Sequence, residues 1–132
     1  MLRNAVLYLT FVLAAISGSL YYLNALFYLD WTYWWFDVLM HFLVSFTGGL
    51  GIFWGLFDSG IIFHGRFQSR AVMILMVFLC VLATGISWEV FEYVNDLKDS
   101  TEGYVFDTIN DLILDSTGAL LAGLIVTRRN NG

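Results

Sequence analysis

The stretch "GYVFDTINDLILDSTGALLAG", Gly103–Gly123, decides how this chain folds. Asp107, Asp111 and Asp115 stand four residues apart, which at 3.6 residues per turn sets them in one stripe along a helix. The residues around them are apolar or small. Such a helix either lies on the surface of a soluble domain or crosses a bilayer with its acids turned into a bundle. Composition separates the two. The chain has 132 residues, of which 59% are hydrophobic, 18% aromatic and only 13% charged, with no proline. Soluble domains carry about 25% charged residues, so this chain is too apolar to cover a water-facing surface.

A spanning helix needs about 20 mostly apolar residues. Four such segments are present, at about residues 5–29, 34–57, 71–93 and 104–127. The expected architecture is all-α: a polytopic membrane protein, residues 1–132 forming a single domain of four transmembrane helices in one compact bundle. No soluble domain, long linker, low-complexity tract or internal repeat is expected. The start, Arg3 followed by an apolar run and "AAISGS", has the look of a signal peptide. The apolar run continues through "LYYLNALFYL", however, long enough to span, and a retained first helix is expected. Cys80 is alone in the third segment, so it reads as a packing residue and no intrachain disulfide can form.

Charge gives an orientation. Four crossings put both termini on one side. Of the six basic residues, Arg3, Arg66, Arg70, Arg128 and Arg129 fall on that side and only Lys98 falls opposite. The positive-inside rule makes the basic side, with both termini, cytoplasmic. Asp58 is the lone acid there; the other ten lie toward the outer side. "YLDWTYWWFD", Tyr93 and Tyr104 supply interfacial aromatics at that outer side. The separation of charge offers no footprint for nucleic acid.

Three polar stripes meet in the outer half. Asp37, His41, Ser45 and Gly48 or Gly49 follow one face of the second helix. Gly85, Glu89, Glu92 and Asp96 follow a face of the third, and Asp107, Asp111, Asp115, Gly118 and Ala122 a face of the fourth. Asp107 to Asp115 descends about 12 Å at 1.5 Å per residue, and His41 and Glu89 fall at overlapping depths. The small residues, Gly51 with Gly55, Gly118 with Ala122 and Ala119 with Gly123, read as close helix crossings.

An acid at mid-membrane costs about 2.5–3.5 kcal/mol on insertion scales. The acids of these stripes are therefore hydrated, protonated, paired or bound to cations. Asp96, Asp99 and Glu102 read as solvated loop charges, and Asp37 and Asp107 also suit helix N-termini. Carboxylates with one imidazole suit a divalent cation (Mg²⁺, Mn²⁺, Ca²⁺ or Zn²⁺) or a proton relay. The expected metal ligands are Asp37, His41, Glu89, Glu92, Asp107, Asp111 and Asp115, with His41 and Glu89 as the acid or base of any catalysis. A purely structural hydrogen-bonded network is the alternative.

The motifs "FDVLMHFLVSFTGG", "WEVFEYVND" and "GYVFDTINDLILDSTGALLAG" resemble the small YjdF-like bacterial inner-membrane family and, more loosely, VanZ-like proteins. The resemblance covers roughly Asp37 to Gly123 and rests on Asp37, His41, Glu89, Glu92, Asp107, Asp111, Gly118 and Ala119. It implies a multi-pass protein of the bacterial inner membrane. Three uses of the acidic/His site stay open: metal-assisted chemistry on a lipid or isoprenoid phosphate, cation- or proton-linked transport, and a small accessory subunit packed against partner membrane helices. Membrane lipid is the expected partner, with a homo-oligomer or another membrane protein as further candidates.

Overall fold

With no proline in the chain, nothing in the apolar runs removes a backbone donor, and each run winds into one long helix. The computed structural model describes residues 2–67, 69–97 and 103–128, and among these there is no strand. Helix α1 is Leu2–Phe27, α2 is the single turn Leu29–Thr32, and α3 is Trp34–Phe53, which runs on into a π-helical turn, Trp54–Asp58. Helices α4 and α5 are Arg70–Val94 and Tyr104–Arg128. Four segments are long and apolar enough to cross a membrane: Arg3–Phe27, Trp34–Asp58, Arg70–Val94 and Tyr104–Arg128. Each has 25 residues, or about 37 Å of helix, against a hydrocarbon core of about 30 Å.

The ends lie within three residues of those expected, and the differences have local causes. Helix α1 stops at Tyr28, whose backbone is left-handed (φ 51°, ψ 49°), a conformation that costs a non-glycine residue about 1–2 kcal/mol. Asn24 holds this corner. Its carbonyl accepts from the Tyr28 amide at 2.8 Å, and its side-chain oxygen accepts from the Asp30 amide at 2.9 Å. The end of the first expected span and the residues before the second therefore form the separate turn α2. Helix α4 begins where the Ser69 hydroxyl accepts from the Val72 amide, an N-cap. Helix α5 has Asp107 in its first turn and Arg128 in its last, both favourable to the helix dipole.

Helix α3 is central. It packs most extensively on α5; α4 packs on α5, and α1 rests on α3. Small residues set the closest crossing. A Cβ at Gly118 would run into Ser45 Oγ and lie 2.9 Å from both Phe42 O and Phe46 N. One at Gly49 would lie 2.9 Å from the Ala122 Cβ. Gly51 meets Thr10 of α1, whereas Gly55 faces open space, so only the first of that pair marks a crossing. Leu50, Phe53, Val77, Ala119 and Ala122 fill the core between α3, α4 and α5. Hydroxyls within the spans donate to the carbonyl four residues back, as Thr10, Ser17, Thr47, Thr84 and Thr127 do. That satisfies them without water.

The basic end is stitched together by Asp58. The π-helical turn leaves this residue 3% exposed, and Arg66 grips both of its carboxylate oxygens at 2.7 Å. Arg3 Nε donates to the Asp58 carbonyl at 2.6 Å. The Arg66 guanidinium lies 4.9 Å above the Phe53 ring, and Arg70 donates to Thr127 at 3.4 Å. Lys98, Asp99, Glu102 and Arg129 lie outside the described residues.

Candidate metal centre

The antiparallel order of α3, α4 and α5 puts the start of α3, the end of α4 and the start of α5 at the same end of the bundle. Four of the expected residues converge there. Asp37 and His41 are one turn apart on α3, and His41 Nε2 lies 3.6 Å from Asp37 Oδ1 and 3.5 Å from Asp111 Oδ2. Its other nitrogen, Nδ1, lies 3.5 Å from Asp115 Oδ1. Asp37, His41 and Asp111 each present a ligand atom within 4.8 Å of the other two. Burial is graded. The Asp37 side chain is 47% exposed, His41 17% and Asp111 1%. The group thus reaches from the rim into the bundle.

Asp115 fits because residue 85 of α4 is glycine. A Cβ there would stand 2.6 Å from Asp115 Oδ2. The other acids are distributed around the centre. Asp107 is half-buried one turn before Asp111. Glu92 lines the same cavity as Asp37 and His41. Glu89 is buried at the α4–α5 contact instead. Its Oε2 accepts from Thr108 Oγ1 at 2.9 Å, and its carbonyl accepts from the Tyr104 hydroxyl at 3.0 Å. It lines a separate recess of about 260 Å³ with Tyr93, Thr108 and Leu112.

The larger cavity has a volume of about 590 Å³ and lies between α1, α3 and α4. Asp37, His41, Glu92 and Asp115 form its polar wall, and Gly18, Gly48 and Ile52 line its deeper part.

Residues 3–132 match a family described as "Predicted membrane protein (DUF2238)". The chain belongs to this family. The match agrees with a multi-pass membrane protein and is consistent with the YjdF-like resemblance; it establishes no VanZ-like relation. No curated protein and no solved structure matches the chain.

Hydrogen bonds between nitrogen and oxygen span 2.7–3.2 Å, so the three contacts of His41 are longer than direct bonds. Two of them have another geometric match. Ligands about 2.0–2.1 Å from a tetrahedral ion are separated by edges of about 3.3–3.4 Å. The Nε2 distances to Asp37 and Asp111 are close to that spacing. Nδ1, facing Asp115, is the position from which a ligating histidine donates to an orienting carboxylate.

Two features of the molecule were not read from sequence. The Asp58–Arg66 clamp has a signal, a single acid amid the basic residues of one side, but its π-helical geometry has none. The roles of Gly85, Thr108 and Tyr104 depend on which faces of α4 and α5 meet, which one sequence does not specify.

Proposed function

We propose that this protein binds a divalent cation in the outer half of its bundle, with Asp37, His41 Nε2 and Asp111 as ligands and Asp115 orienting His41 through Nδ1. The observation that carries this reading is the placement of three ligand atoms, from two helices, within 4.8 Å of one another. Charge supports it. Two carboxylates balance one divalent ion, and among the described residues no lysine or arginine stands at this end. Nitrogen with two carboxylates favours Zn²⁺ or Mn²⁺ over Ca²⁺ and Mg²⁺, which prefer all-oxygen shells. Three protein ligands leave a position for water or substrate, and Asp37 and His41 border the cavity from which one would come.

In this reading His41 is a ligand, and Glu89 holds α4 to α5 rather than acting as acid or base. Asp107 is an outer carboxylate that draws cations inward, and Glu92 is the carboxylate that faces the cavity. The protein sits in a bacterial inner membrane with its basic end and both termini cytoplasmic, so the centre faces outward. An open coordination position beside a cavity suits Lewis-acid chemistry on a phosphate ester. The test is the thermal stability of purified protein with micromolar Zn²⁺ or Mn²⁺ against a chelator, compared between the native chain and Asp111→Asn. Stabilisation of the native chain that the variant lacks supports the site; equal responses of the two remove it.

A further inference from the structure

The 590 Å³ cavity extends well past the metal centre, and its shape and polarity identify a ligand class. We propose that it seats one phosphate-bearing amphiphile from the outer leaflet, with the chain in the cleft and the phosphate on the cation; this rests on the cation reading above.

Length comes first. Along α3 the lining runs from Phe36 to Ile52 and along α4 from Val81 to Glu92, which is about 24 Å and about 16 Å of helix. Half of a hydrocarbon core is about 15 Å. The cleft is therefore at least as deep as one leaflet, with carboxylates toward the interface and, deeper, apolar side chains beside the hydroxyls of Ser17, Ser45 and Thr84, which donate to their own helices. A lipid of that leaflet has the same polarity profile.

Access comes second. Helix α1 rests on α3, while α4 packs chiefly on α5, and the extensive helix contacts include none between α1 and α4. The cavity has walls from both α1 and α4, so the gap between them opens sideways toward lipid. A chain can enter there without its head crossing the bilayer.

The walls themselves are cut back. Gly18 of α1 and Gly48 of α3 both line the cavity, and a Cβ on either would meet nothing within 4 Å. The other close glycines, Gly49 and Gly118, are needed for helix contact. These two leave room instead. Protein interiors are close-packed, and a volume of about 590 Å³ is within the range of small-molecule sites, about 300–1,000 Å³.

Charge selects the head. Asp30, Asp37, Glu92 and Asp115 face the polar end, with His41 as the one basic side chain. This wall repels a bare phosphate and accepts one only through a metal ion at its open position. Binding of the amphiphile is thus expected to require the cation.

The experiment uses the full chain in phosphatidylcholine nanodiscs, with radiolabelled dodecyl phosphate as probe and empty nanodiscs subtracted. The expected result is saturable binding of one probe per chain with micromolar Zn²⁺, weakened at least tenfold by chelator. Inorganic phosphate should compete at least tenfold more weakly, since it lacks the chain. Gly48→Leu and, from the opposite wall, Gly18→Leu should each weaken the probe at least tenfold while keeping the thermal shift given by Zn²⁺, which also shows that they fold. Asp111→Asn should lose both. A native protein that responds to Zn²⁺ but binds no probe saturably overturns the proposal and spares the cation site. Equal binding with chelator, equal competition by inorganic phosphate, or preference for dodecyltrimethylammonium also overturns it. Absence of any response to cations overturns both readings.

Discussion

The carboxylate of Asp115 occupies the space in front of Gly85: a Cβ on that glycine would come 2.6 Å from Asp115 Oδ2. The other oxygen of the same carboxylate lies 3.5 Å from His41 Nδ1. A backbone position on α4 therefore fixes an acid on α5, which in turn faces an imidazole on α3. Three helices are joined at one point, and the missing side chain on α4 makes this arrangement possible.

Gly85→Ala tests that chain of contacts. The added methyl must displace the Asp115 carboxylate and with it the orientation of His41. Losing the carboxylate that orients a metal-bound histidine typically costs 10–100-fold in affinity. The expected outcome is a drop of that order in Zn²⁺ affinity, measured by competition with a chromophoric chelator. Alanine is the better helix former by about 1 kcal/mol, so the fold should survive. Unchanged affinity would show that Asp115 does not position His41.

At the basic end, Asp58→Asn leaves the Arg66 guanidinium without its carboxylate in a nearly closed site. Removing one partner of a buried pair costs about 3–5 kcal/mol, much of it from the charge left behind. Arg66 is 17% exposed, so a loss near the lower end, about 3 kcal/mol, is expected in reversible unfolding in detergent. The double variant Asp58→Asn/Arg66→Met should recover part of it. A single variant as stable as the native chain would reduce the clamp to a surface ion pair.

The small residues of α3 and α5 make a graded prediction. Gly118→Ala drives a methyl into Ser45 Oγ and the α3 backbone, and overpacking of this kind costs about 1–3 kcal/mol. Gly55→Ala meets nothing and should be neutral or slightly stabilising. The two melting temperatures should therefore move apart, with Gly118→Ala the lower. If they move together, the α3–α5 crossing is not where the structure places it.

How far the sequence reaches can be seen at Asp111 and at Glu89. The sequence points both to one site, because both lie on polar stripes at matching depth. Depth along a helix follows from 1.5 Å per residue, which needs no structure. Rotation does not follow in the same way, because the side of α4 that meets α5 is set by packing at Gly85 and Gly123. Asp37, His41, Asp111 and Asp115 converge since α3 and α5 cross closely through glycine. Glu89 instead accepts from Thr108, one turn along α4 from the Gly85–Asp115 contact. The four spans were legible because hydrophobic length is a property of composition. The corner at Tyr28 and the π-helical turn before Asp58 were not, because each depends on local backbone geometry that the apolar pattern does not encode.

Orientation is open to direct labelling. In a Cys80→Ala background, Leu97→Cys and Ile61→Cys place thiols at opposite ends of the bundle, at residues 59% and 78% exposed. Expressed in a bacterial inner membrane with the outer membrane permeabilised, Leu97→Cys should react with an impermeant maleimide and Ile61→Cys should react only after lysis. The reverse pattern would put the acidic centre on the cytoplasmic side.

The decisive measurement is the melting temperature of the native chain, Asp111→Asn and Asp115→Asn, each with Zn²⁺, with Mn²⁺ and with chelator. A ligand at about 100 times its dissociation constant stabilises by about 2.7 kcal/mol, a visible shift for a domain of this size. Asp111→Asn removes a charged ligand at almost constant volume and should abolish the shift. Asp115→Asn keeps all three ligands and should retain a reduced one. That order, native above Asp115→Asn above Asp111→Asn, is the predicted result. A native chain whose melting temperature is the same with cation and with chelator would contradict it and leave the three aspartates of α5 a structural polar stripe.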